Sequence, residues 1–293
     1  MARTSSIFTT PLTGNLGNQT FKNYGGTQVA VSRFRTTSAK GEGASKAQRE
    51  SRLLMPNLTL IGSQIKDWLP ALWESNRLYK RPYTHFISKN LSRDLFVLPK
   101  AMIDAKLCIW GQLQISSGSL PTLSCTQTLD KGFSTDILCP HTSDIGSLSL
   151  GSFSQYLLDM NPRFKPMDFL VFVVAEYFDY SIAAPATPWY VTSFVGAIQL
   201  DPKATTLVDY SFKGVRVPLV ARYQFGGSYV LAVDDSDDKS IACVHVRKER
   251  GTYLASSQVM SWNFYGIDDI ALMKSSEYID YCAASWGYKD KIL

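Results

Sequence analysis

Three histidines (His85, His141, His245) and five cysteines (Cys108, Cys125, Cys139, Cys243, Cys282) are available for nucleophilic or metal chemistry in this chain of 293 residues. The two types come together once, in Cys139-Pro140-His141-Thr142-Ser143-Asp144. Side chains two apart on an extended chain project to the same side, so an imidazole there could meet a thiol. A thiolate nucleophile also needs an orienting group and an oxyanion site, and the local sequence offers neither. His85 falls in a helical stretch and His245 in an alternating one. The cysteines are odd in number and widely spaced, with no Cys-x-x-Cys pair. That pattern suits neither a disulfide framework nor a zinc knuckle, and they read as small buried hydrophobes and free thiols.

Two glycine or carboxylate clusters imitate ligand loops. Asp234, Asp235, Asp237 and Asp238 are closely spaced but lack the glycine and the distal glutamate of a calcium loop. They read as a polar hairpin tip. Gly41-Glu-Gly-Ala-Ser-Lys46 places glycines before a lysine and a helix, without Gly-x-x-x-x-Gly-Lys-Ser/Thr spacing or a preceding buried strand. It reads as a flexible linker. No enzyme, no cofactor and no metal site is expected. Asn-x-Ser/Thr sequons at Asn18, Asn57 and Asn90 are chance matches to a short pattern.

Charge is a stronger signal. Residues 1–100 carry 15 Lys/Arg against 5 Asp/Glu, and residues 101–293 carry 15 against 20, so a net +5 divides into +10 and −5. Arg33, Arg35, Lys40, Lys46, Arg49 and Arg52 form a basic segment near Tyr24 and Phe34. Such a segment can neutralise phosphates in a salt-dependent, sequence-independent way, or reach acidic patches on a neighbouring subunit; subunit contact is the favoured reading.

The elements that would carry these residues fall into four parts: a basic arm with a hairpin and loop (1–47), a helical segment (48–100), a β-sandwich (101–265) and a tail (266–293). Residues 14–36 alternate around Tyr24-Gly25-Gly26, which predicts a β-hairpin. Its second run puts Val29, Val31 and Arg33 on one narrow face, too small to hold an isolated hairpin. Residues 37–47 are small and polar, an exposed loop before a helix capped near Ser45. Leu54, Leu58, Ile61, Ile65, Leu69 and Leu72 then recur at helical spacing, with Pro56 and Pro70 able to bend or break the run. A second helix is predicted over 81–93, packed on the first as a helical hairpin. Strand periodicity follows at 106–115, 169–178, 190–200, 213–223, 229–233, 241–246 and 253–260, a sandwich's worth of segments. The tail offers a modest amphipathic helix within 266–285. The fold class expected is α+β, mainly β: an N-terminal β-hairpin arm and a helical hairpin, then an Ig-like antiparallel β-sandwich. The densest apolar stretch, Phe169 to Val174, has strand length rather than membrane length, so no membrane partner is expected. The start, Met-Ala-Arg-Thr-Ser-Ser, lacks a secretory signal pattern, which predicts a protein made and kept in the cytosol.

Read in order, Gly14-Asn-Leu-Gly-Asn, the Tyr-Gly-Gly hairpin, the basic run, the Ala47-Gln48-Arg49 helix start and Gln114-Ile-Ser-Ser-Gly-Ser-Leu-Pro121 resemble a domain-of-unknown-function family of Bacteroidota and phages. Such proteins share an N-terminal turn and hairpin, an Ala-Gln-Arg helix start, a Ser-x-Gly-x-Leu-Pro linker and a β-sandwich near the C-terminus. This chain departs from the pattern in lacking a Pro-rich segment after the hairpin. Similar proteins occur among the virion genes of crAss-like phages, whose short tails are stacked rings below a dodecameric portal. The resemblance therefore implies a neck or tail ring subunit, made in the host cytoplasm and located in the virion. Its implied partners are copies of itself in a closed ring, of 12 if it follows the portal, the portal and neighbouring ring proteins, and genomic DNA. It implies no catalytic residues.

Closed rings need one patch to meet a different patch on the next copy. The candidates for that contact are Phe21, Tyr24, Val29, Val31, Arg33 and Arg35 of the arm and Trp68, Trp73, Tyr79 and Tyr83 of the helical segment, four aromatics for which simple core packing is an equal alternative. Alternative readings are a non-specific nucleic-acid binder acting through the basic half, and a capsid-associated or glycan-binding module stacking sugars on Trp189, Tyr190 or Trp262. A hydrolase centred on His141 is the least favoured.

Overall fold

The computed structural model describes residues 14–16, 19–24, 27–32, 46–74, 81–91, 93, 96–128, 132–142, 144–179, 189–209, 211–212, 215–216, 219–224, 227–233, 239–262 and 271–288. Met1–Ser45 and Lys46–Leu293 form two separate units. In the first, β1 (Gly14–Leu16), β2 (Gln19–Tyr24) and β3 (Thr27–Ser32) make a three-stranded antiparallel sheet in that order. The β2/β3 ladder runs from Gln19 opposite Ser32 to Tyr24 opposite Thr27, which is the hairpin expected about Tyr24-Gly25-Gly26 with one more short strand added.

The second unit is mixed α+β with mainly β content, and its sheets are antiparallel. The smaller strand pairs are β4 (Gln114–Ser116) with β15 (Gln258–Val259) and β9 (Ser211–Phe212) with β10 (Val215–Arg216). The smaller sheet consists of β5 (Cys125–Gln127), β6 (Phe133–Leu138), β11 (Leu219–Gln224) and β12 (Ser228–Val233), in the order β11-β12-β6-β5. The larger has β7 (Phe169–Asp179), β8 (Trp189–Gln199), β13 (Lys239–Glu249) and β14 (Thr252–Ala255), in the order β14-β13-β7-β8, with β16 (Ser261–Trp262) paired to the start of β13.

The central strands explain the architecture. Along β7, Leu170, Phe172 and Val174 enter one core while Val171, Val173 and Ala175 enter another. β13 divides Ile241 and Cys243 from Ala242, Val244 and Val246 in the same way. Successive side chains point to opposite faces, so a strand apolar at every position has both faces covered. One face meets the smaller sheet, with Phe133, Ile137, Leu219, Leu231 and Val233 filling the gap and α5 (Leu150–Met160) adding Phe153 and Leu157. The other meets a helical layer of α1 (Lys46–Gln64), α2 (Leu69–Leu72), α3 (Pro82–Asn90), α4 (Lys100–Asp104) and α6 (Ser276–Ser285). The unit is thus a sandwich with a third, helical layer on the outer face of its larger sheet.

The predicted helical run is interrupted where Pro70 requires it. α1 ends at Gln64, a turn follows in which the Leu69 amide donates to the Ile65 carbonyl, and Pro70 then occupies the first turn of α2, where its missing N–H costs nothing. Pro56 stays inside α1, leaving the Arg52 carbonyl without its usual i+4 donor. The strand expected over 106–115 is a correction: only Gln114–Ser116 is strand, and the segment before it makes single backbone bonds, Val191 N to Cys108 O and Met260 N to Leu113 O, with the Asn57 side chain paired to Ile109. β5, β6 and α5, the last capped by the Ser149 hydroxyl accepting from Ser152 N, lie outside the predicted segments. Among the described residues no helix is long and apolar enough to cross a membrane.

Candidate functional site

The Cys139/His141 pair separates on folding. Cys139 is buried at the margin of the sandwich core, and burial pushes its thiol up to about 12. His141 is on the surface, stacked on Tyr229 with ring centroids 4.2 Å apart and planes 30° from parallel. At neutral pH Cys139 is therefore a protonated apolar side chain, and burial likewise holds Cys108, Cys125 and Cys282 at about 12. Among the described residues no group of three or more His, Cys, Asp or Glu side chains is arranged to hold a metal. The Asp234–Asp238 loop lies outside the described residues.

His245 and a residue not anticipated from the sequence, Asp168, form a buried electrostatic cluster. Asp168 leads into β7 and His245 sits on β13, with the His245 Nε2 2.7 Å from the Asp168 Oδ2. Arg247, two residues further along the same face of β13, donates to both carboxylate oxygens at 2.8 Å and also to the Arg163 carbonyl. The Lys165 amide completes the set at 2.8 Å. Burial alone would raise the Asp168 pKa, but the hydrogen bonds from Arg247, His245 and Lys165 outweigh it and hold the carboxyl below its ordinary value. Phe164 meets the His245 ring edge-on at 4.9 Å. The cluster ties the chain before β7 to β13.

The Ser-Ser-Gly-Ser-Leu-Pro stretch expected to be a linker is a clasp. Ser117 exchanges backbone bonds with the helical layer, donating to Leu72 O and accepting from Glu74 N. The Ser116 hydroxyl donates to Ser256 O at 2.6 Å, and Leu120 N donates to Ala255 O. One Glu74 carboxylate oxygen accepts from Ser119 N, Ser119 Oγ and Ala255 N, bridging three segments. A Cβ at position 118 would lie 2.2 Å from that oxygen and 2.3 Å from Ala255 O, so only glycine allows the approach.

The assembly candidates divide by position. Phe21, Tyr24, Val29 and Val31 lie on β2 and β3, but their side chains, with Arg33, Arg35, Lys40 and Tyr79, lie outside the described residues. The same holds for the side chains of Lys46, Trp189, Tyr190 and Trp262. Of the two readings of Trp73, core packing is the one observed: it is 1% exposed, in edge contact with His85 and Phe86 in the core, and presents nothing to a neighbour. Its aromatic character was legible but its burial was not, because burial depends on the layer folded over it. Tyr83 is 37% exposed and lies against Gly62 of α1, where an added Cβ would come within 2.9 Å of its ring. Trp68 is half-buried and, with Asp67, Pro70 and Ala71, forms one wall of a groove whose other wall is Phe169, Val171, Val246 and Tyr253. A shallower depression on α1 is lined by Arg52, Met55, Pro56 and Thr59, with Ile103 and Lys106 opposite. Arg52 and Lys106 are both exposed beside it.

Comparison of the chain with family models, with curated proteins and with solved structures found no match to any of them.

Proposed function

We propose that this chain is a structural protein of a bacteriophage virion, a connector or neck or tail ring subunit that assembles with copies of itself. The observation that carries the reading is the division into a small basic sheet-bearing unit, residues 1–45, and a larger layered unit, residues 46–293. A three-stranded antiparallel sheet with a narrow apolar face gains stability by lying on another surface. The larger unit offers such surfaces in the Trp68 groove and the Met55 depression. An arm from one copy meeting a different patch on the next is the heterologous contact that closes a ring. Trp68 would be the anchoring side chain and Asp67 a partner for the arm's cations. The resemblance to virion proteins of crAss-like phages supports the same place in the particle.

Native mass spectrometry of the full chain and of a form lacking residues 1–36 tests this. The expected outcome is a high-order closed oligomer for the full chain and its loss on deletion; a monomer in both forms would overturn ring assembly through the arm. A second reading, non-specific binding of nucleic acid, is favoured by Arg52 and Lys106 flanking one depression on α1. It requires binding that weakens steeply with salt, so filter binding insensitive to salt would remove it.

A further inference from the structure

The loop that brings Cys139 and His141 together in sequence builds something other than a nucleophile. Along β11, one face passes from Leu219, 2% exposed in the sandwich core, through Ala221 at its margin, to Tyr223, 61% exposed. The inner face of the smaller sheet therefore runs past its cover. Tyr229 of β12 is directly opposite Tyr223 in the ladder, and the two rings meet edge-on with centroids 5.7 Å apart. His141 extends the row: the Cys139 amide donates to Tyr229 O at 2.9 Å, and one residue past Pro140 the imidazole lies over the Tyr229 ring. The result is a row of three rings, His141, Tyr229 and Tyr223, that runs from the end of β6 across β12 to the edge strand β11.

We propose that this aromatic ledge is a binding site for the ring faces of a neutral saccharide. Three aromatic rings in contact at the end of a sheet form a contiguous surface, unlike a single exposed side chain. Aromatic faces accept the C–H face of a pyranose, and phenol hydroxyls and imidazole nitrogens are donors and acceptors for its rim of hydroxyls. Charge selects against a nucleic-acid strand. The segments that build the ledge, residues 139–147 and 219–233, contain one acid, Asp144, and one arginine, Arg222, which alternation places on the opposite face of β11 from Tyr223 and which donates to the Thr128 hydroxyl. Stacking platforms for single strands combine their aromatic rings with a positively charged groove. This site is separate from the assembly surfaces proposed above, and it stands whether or not the chain closes into a ring.

Saturation-transfer difference NMR on the full chain, which tolerates a large assembly, provides the test. The probes are cellohexaose, maltohexaose and mannohexaose, with the oligonucleotide dT12 as the competing class. At least one hexaose is expected to give a saturable signal with Kd on the order of 1 mM. Tyr223→Ala, at an exposed position, is expected to weaken it about fivefold or more. Tyr156→Ala, another exposed tyrosine but on α5, is expected to leave it unchanged. No saturable signal from any of the three hexaoses, a signal that survives Tyr223→Ala, or a Tyr223-dependent signal from dT12 alone would each overturn the proposal.

Discussion

Three asparagines each pair with the backbone as a peptide would. Asn57 donates to Ile109 O and accepts from Ile109 N; Asn90 does the same with Gln114, and Asn161 with Leu138. Asn57 also donates to Phe96 O at 3.1 Å, and all three residues are buried. The sequon matches at Asn57 and Asn90 thus coincide with side chains spent on holding the chain between the helices and the sheet. Asn57→Ala orphans an amide and two carbonyls in the core, and it should cost about 3 kcal/mol of unfolding free energy, read by denaturant titration. Two titrating groups set an acid limit in the same direction. Burial lowers the His85 pKa from 6.5, and hydrogen bonds lower that of Asp168 despite burial. In both cases the unfolded chain takes up the proton first. Their stabilisation is therefore complete above the unfolded values and drains away as pH falls through the folded ones. Stability measured against pH should begin to decline below about pH 6.5 and steepen below about pH 4. In His85→Gln the upper part of that decline should disappear while the lower part remains.

At the scale of elements, two helices end in the same way with different residues. After α4, Lys106 N donates to Ile103 O and Leu107 N to Met102 O; after α6, Gly287 N donates to Ala284 O and Tyr288 N to Ala283 O. This is the Schellman arrangement, and it places the residue after the cap in the left-handed region, φ 63° at Lys106 and φ 84° at Gly287. Glycine adopts that region without strain and lysine does not. Lys106→Gly should therefore stabilise the unit by about 0.5–1 kcal/mol, and Gly287→Ala should destabilise it by about 1 kcal/mol. Equal losses from both substitutions would show that the Lys106 stem, which lines the Met55 depression, contributes more by packing than its backbone costs. At the other end of α6, the Ser275 hydroxyl accepts from Tyr278 N at 3.2 Å, a cap that Ser275→Ala should remove at a cost of about 1 kcal/mol in thermal unfolding.

For the whole molecule, the helical layer and the two sheets share two continuous cores that meet across β7 and β13. A polypeptide of residues 46–293 should therefore fold alone and unfold in one cooperative transition, with a midpoint within a few degrees of the full chain's. Circular dichroism and calorimetry of that form check this. A broad or split transition would mean that the cores do not cooperate. The same form, lacking the arm, should keep the saccharide signal of the Tyr223 ledge while losing the capacity to form rings, which separates the two proposed surfaces.

The order of elements was legible in the sequence because it rests on local rules. Apolar residues at helical spacing mark α1, alternation around Tyr24-Gly25-Gly26 marks the hairpin, and the runs at 169–178, 190–200, 229–233 and 241–246 became β7, β8, β12 and β13. β5 and β6 escaped, β5 because three residues are too brief for periodicity to declare itself and β6 because Ser134-Thr135-Asp136 interrupts its apolar alternation. Position relative to a core was not legible, because it depends on residues far away in the chain. Tertiary structure alone decided that Trp73 is inside and Tyr223 outside, that Cys139 and His141 part company, that Asp168 meets His245 and Arg247, and that Ser116–Pro121 is a clasp. Each of these follows from which surfaces the packed layers cover, the helices for Trp73 and the Ser116–Pro121 clasp and the facing sheet for the rest, and that is settled by packing over sequence separations of tens to hundreds of residues rather than by spacing along the chain.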